Sequence, residues 1–124
     1  METFSKTEQE SRKDFIDKHT PYIFCEQMPI FGSLFNVRIR VGKEHAHIDD
    51  YDHHIAYITL FNGDKMLAKA NFSPCVVSTD ERRGHAEVSF VLMANQISYT
   101  FNAQCYCTKH GLWESEKISL TVQR

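Results

Sequence analysis

Asn62-Gly63 separates two apolar stretches, residues 55–61 and 65–72. The dipeptide is the strongest short-range hairpin signal, because its two-residue turn needs positive φ at both positions. A chain committed to a tight hairpin near its middle is committed to antiparallel strands, and the flanking segments agree. In residues 34–41, Phe35, Val37, Ile39 and Val41 alternate with Asn36, Arg38 and Arg40. That period of two marks a half-buried strand. Residues 55–61 are almost wholly apolar and read as a core strand, with 65–72 as its return. Pro74 breaks the pairing, and 76–79 reads as a short edge strand. Residues 85–93 and 96–107 read as long strands joined at Ala94-Asn95, and 116–122 closes the chain. About seven strands with closely spaced turn signals predict an all-β antiparallel sandwich. Residues 1–18 read as a polar lead-in with a short helix over 8–18, stopped by Pro21. Residues 19–124 then form one domain.

Composition narrows the function classes. The chain has 124 residues, enough to bury a real core as one domain. Its formal net charge of −2 leaves no large basic field, so nucleic acid is a poor partner. No apolar run reaches membrane-spanning length, and residues 1–18 lack the apolar stretch of a signal peptide. The cytoplasm is the default expectation. Cys25, Cys75, Cys105 and Cys107 form no CxxC pair, which excludes rubredoxin-like and zinc-ribbon sites. In a reducing compartment they are thiols or ligands rather than disulfides.

Seven histidines are a high count for this length: His19, His45, His47, His53, His54, His85 and His110. Any one of them alone reads best as a surface or capped side chain. Two features shift that balance. The polar stretch from His47 to His53 carries Asp49, Asp50 and Asp52 between two apolar strands. The run Cys107-Thr108-Lys109-His110-Gly111-Leu112-Trp113 puts a sulfur and an imidazole on one tight turn. Imidazole suits iron, copper, zinc or nickel, and a thiolate makes the site softer. Cys105 shares a strand face with Cys107 and reads as a buried core thiol. Trp113 reads as core packing.

Three segments together resemble one family. They are Asp17-Lys18-His19-Thr20-Pro21, then Val41-Gly42-Lys43-Glu44 leading to His47 and His53-His54-Ile55-Ala56-Tyr57-Ile58, then Cys107 to Trp113. In this order they resemble the superoxide reductases of the one-iron neelaredoxin type, the iron-binding domain of desulfoferrodoxin. The resemblance implies an immunoglobulin-like sandwich and one iron per chain. His19, His47, His53 and His110 would be equatorial ligands and Cys107 the axial sulfur, with the sixth position open to superoxide. It implies Lys18 as the catalytic cation and Asp17 as a sixth ligand in the oxidised state. It also implies a small electron donor such as rubredoxin, and a homo-oligomer, commonly a tetramer. The chain departs from the family pattern at Ile48 (usually Pro), Asp17 (usually Glu) and Thr108 (usually Asn). His45, His54 and His85 match no ligand position.

Two other classes compete on the residues alone. A cupredoxin-like electron carrier would use one Cys, two His and often an axial Met. No methionine follows His110, and the candidate histidines are too many. Tetrahedral zinc rarely takes four His and one Cys. A metal-free β-sandwich interaction module predicts no bound metal and tolerance of substitution at His47 and His53.

Overall fold

The computed structural model describes residues 6–25, 28–44, 53–73 and 86–124, with side chains from Arg12 onward. The expected strand over 76–79, and Cys75, His45, His47, Ile48 and His85, lie outside the described residues. Among those described, one helix and eight strands follow in the order α1 (Lys6–His19), β1 (Pro21–Phe24), β2 (Leu34–Val41), β3 (Ile55–Asn62), β4 (Lys65–Asn71), β5 (Glu87–Met93), β6 (Ser98–Cys107), β7 (Gly111–Glu114) and β8 (Ile118–Thr121). All strand pairs are antiparallel. One sheet has the order β1-β2-β5; the other runs β4-β3-β6-β7, with β8 also on β6. The expected β-sandwich is therefore observed.

The alternation read in residues 34–41 decides which way β2 faces. Phe35, Val37, Ile39 and Val41 are buried while Leu34 and Asn36 are exposed. Opposite them lie Ile55, Ile58 and Leu60 of β3 and the inward row of β6, all in one core cluster. That row is Tyr99, Phe101, Ala103, Cys105 and Cys107, so the core row of β6 ends in the candidate sulfur ligand. β6 pairs with β3 along one side and with β7 and then β8 along the other. Ser115 bridges the break between β7 and β8. Its Oγ accepts from Ala103 N–H at 2.8 Å, and its own N–H donates to Ala103 O at 2.8 Å.

Three expectations shift. The hairpin turn sits one residue later than read, because Asn62 pairs with Lys65 and the central residues are Gly63 and Asp64. Gly63 has φ +61°, while among the described residues no non-glycine has positive φ, which is the type II′ pattern with Gly first. Asn62 instead ties the hairpin to β6, accepting from Thr100 N–H at 2.9 Å. Second, the run after His110 is not only a turn: Gly111 (φ +84°) reverses the chain and opens β7. Third, the lead-in is a 14-residue helix reaching His19. Glu, Gln, Lys and Arg favour it throughout, and Lys18 and His19 in its last turn complement the helix dipole. Among the described residues no helix is long and apolar enough to cross a membrane.

Candidate metal centre

The site forms where the C-terminal end of α1 meets the ends of β3 and β6. Cys107 is held opposite Ile55 by the β3–β6 register. Just beyond, Thr108 and His54 bond reciprocally: Thr108 N–H donates to His54 O at 3.0 Å, and His54 N–H donates to Thr108 Oγ1 at 3.2 Å. This pair closes the end of the ladder and brings His53 beside Cys107. The Thr108 side chain thus has a backbone partner of its own. Gly111 then turns the chain so that His110 folds back, with its Nδ1 3.6 Å from Cys107 Sγ.

His19 arrives from the helix and is 1% exposed. Its Nδ1–H donates to Phe15 O at 2.7 Å, one helical turn back, which leaves Nε2 facing the site. Burial lowers its pKa below the ordinary imidazole value, against the raising effect of the Phe15 bond, and neighbouring His110 and His53 lower it further. The neutral ring, with an Nε2 lone pair to offer, is the favoured form. Trp113 stacks on the His19 ring at 5.0 Å, and its Nε1–H donates to His110 O at 3.2 Å. Phe15 packs its ring against His19, His110 and Trp113 at 4.5, 4.9 and 5.6 Å. Cys105 lies one step deeper and donates to His19 O at 3.2 Å. Burial, then Cys107, pushes its thiol pKa up to about 12, so it stays a thiol and not a competing ligand.

The donor atoms of His19, His53, Cys107 and His110 all lie within 4.8 Å of one another. His19 Nε2 and His110 Nδ1 are 3.0 Å apart. Two nitrogens each about 2.1 Å from one ion, at a right angle, would stand roughly 3.0 Å apart. The residues present therefore fit a single transition-metal ion with a mixed imidazole and thiolate donor set.

Residues 10–116 match the desulfoferrodoxin family profile. The chain belongs to the superoxide reductase (desulfoferrodoxin) family. It is 32% identical over 106 residues to a superoxide reductase of Thermococcus kodakarensis, covering 81% of this chain and 85% of the relative. It is 30% identical over 112 residues to the neelaredoxin of Megalodesulfovibrio gigas, covering 82% and 85%. In three dimensions it resembles the superoxide reductase (neelaredoxin) of Ignicoccus hospitalis, with a TM-score of 0.65, 28% identity, and coverage of 85% and 81%. The reduced form of the Archaeoglobus fulgidus superoxide reductase (neelaredoxin) gives 0.67 at 27% identity, covering 85% and 91%.

Four of the five ligands expected in this superoxide reductase family member are brought together; the fifth, His47, lies outside the described residues. Lys18 is exposed, beside His19. Asp17 is not in the cluster. Its carboxylate accepts from Tyr22 Oη–H at 2.7 Å and from the N–H groups of Lys43 and Glu44 at 3.3 and 2.9 Å. Sequence reasoning missed Phe15. The four-residue spacing to His19 would have revealed it had α1 been read as a firm helix, since i and i+4 share a face.

Proposed function

We propose that this chain is a superoxide reductase, converting superoxide, one electron and two protons into hydrogen peroxide at a single non-haem iron. One observation carries the reading: in a member of this family, three imidazoles and one thiol converge within 4.8 Å at the end of the sandwich. That set has one imidazole more than a blue-copper His₂Cys site, before His47 is counted. His19, His47, His53, His110 and Cys107 are the residues that would hold the iron. Iron held there would supply the one-electron redox chemistry.

The chain's own residues do the rest. Cys107, 0% exposed, sits where water does not compete for its sulfur. The Phe15 carbonyl holds the His19 tautomer, and the Phe15 and Trp113 rings keep water from that side of the imidazoles. Lys18, exposed beside His19, draws the small anion to the site and orients the water that delivers a proton to the product. Its removal in Lys18→Ala should slow the superoxide reaction by about tenfold or more and flatten its dependence on ionic strength, with iron content unchanged. Stopped-flow rates across a salt series check this, and an unchanged rate constant removes Lys18 from the mechanism.

The proposed partner is a small electron carrier such as rubredoxin, the proposed assembly a homotetramer, and the proposed compartment the cytoplasm. Among the described residues Cys25, Cys105 and Cys107 form no disulfide, in agreement with a reducing compartment. Residues 19–124 are the proposed iron-binding domain.

Metal analysis with a superoxide assay tests the whole reading. One iron per chain and peroxide formed without oxygen are expected. Copper in the site would support an electron carrier, and released oxygen would mean dismutation.

A further inference from the structure

The chain around His19 and the chain that runs on to His47 are joined before any metal is considered. β1 starts at Pro21, directly after the helix, and pairs with the end of β2, Pro21 opposite Val41. Gly42, at φ +94°, then turns the chain, and its N–H donates to Thr20 O at 2.9 Å. The next two amides, those of Lys43 and Glu44, both point at Asp17. Oδ1 accepts from Lys43 N–H and Oδ2 from Glu44 N–H, while Tyr22 Oη–H, itself on β1, donates to Oδ1. One half-buried carboxylate thus holds three donors from two strand ends, with both of its oxygens engaged.

The resemblance suggested that Asp17 binds the oxidised metal as a sixth ligand. Asp is one methylene shorter than the family's usual Glu, and turning its carboxylate toward the metal would give up three hydrogen bonds, the one from Tyr22 part-buried. We propose instead that Asp17 is a positioning residue. It clamps the Lys43–Glu44 peptide to the last turn of α1, and so fixes the point from which the chain runs on to His47. This rests on the iron-site reading above.

Asp17→Ala, Asp17→Asn and Tyr22→Phe, each made in the full iron-loaded chain, test the clamp. Residue-resolved amide hydrogen exchange should accelerate at Lys43 and Glu44 in Asp17→Ala, less in Tyr22→Phe, and least in Asp17→Asn, which keeps an acceptor oxygen. Core amides of β6 should not change. Loss of iron to a chelator should speed up in the same order, by roughly tenfold in Asp17→Ala. The charge-transfer band of the oxidised protein and its affinity for azide should stay where they are in the parent. A band shift with altered azide affinity in Asp17→Ala, absent from Tyr22→Phe, would make Asp17 a metal ligand and overturn the proposal. Unchanged exchange at Lys43 and Glu44 would overturn it as well. The exchange measurement does not depend on what the site catalyses, so the clamp can fail while the superoxide reductase reading stands, and the reverse.

Discussion

Replacing Cys107 with Ser is expected to erase the sulfur-to-iron charge-transfer absorption of the oxidised protein. Superoxide reduction should slow by more than about 100-fold, since losing even a residue that only orients a ligand typically costs 10- to 100-fold. The reason is chemical before it is geometric. A thiolate donates electron density to a metal far more strongly than a hydroxyl does, and an axial thiolate sets the reactivity of haem iron in the same way. The position leaves little room for compensation. Cys107 is fully buried, paired on one side with Ile55 and on the other with Gly111. Cys105 is the natural control. It lies two residues earlier on the same face, but its thiol is turned to the His19 carbonyl at 3.2 Å. Cys105→Ser should therefore keep the band. Survival of the band in Cys107→Ser would show that the sulfur on iron is a different one.

The second large effect is on stability. Phe101→Ala should destabilise the fold by about 3–5 kcal/mol, the cost of truncating a fully buried aromatic side chain into a cavity. Phe101 is 0% exposed, stacked on Tyr99 at 5.1 Å and 6.4 Å from the Phe35 ring of the opposite sheet. It therefore bridges the two layers of the sandwich at the centre of β6. A loss of that size is a large share of the roughly 5–15 kcal/mol that holds a domain together. Urea unfolding followed by circular dichroism, on iron-loaded and metal-free protein alike, measures it as a fall in midpoint at constant slope. A change below about 1 kcal/mol would mean that the two sheets do not meet there as described.

The strands that carry the core were legible because burial imposes its period on them. β2 alternates, β3 is almost wholly apolar, and β6 places every second residue inward. What escaped depends on partners far along the chain. α1 reads in the sequence only as a short helix over 8–18, because its apolar face is thin, and its last turn is secured by His19, Phe15 and Asp17. Two of the partners of Asp17 lie 26 and 27 residues away, at a distance no local pattern encodes. β7 was hidden because Gly111 signals a reversal, and nothing nearby says that the reversed chain pairs again with β6. The ligand pattern was readable only as a joint motif. His19 and His110 stand 91 positions apart in the chain, yet their ring nitrogens are 3.0 Å apart in space.

The reciprocal bonds between Thr108 and His54 carry a consequence for how the site fills. They tie the segment that carries His53 to the segment that carries Cys107 at the end of β6, so that these two donors are placed by backbone pairing before any ion arrives. An incoming ion meets this pair as a ready template and loses little affinity to ordering it. The fold thus sets two of the four clustered donors, the sulfur among them, by strand pairing, while His19 comes from the end of a helix.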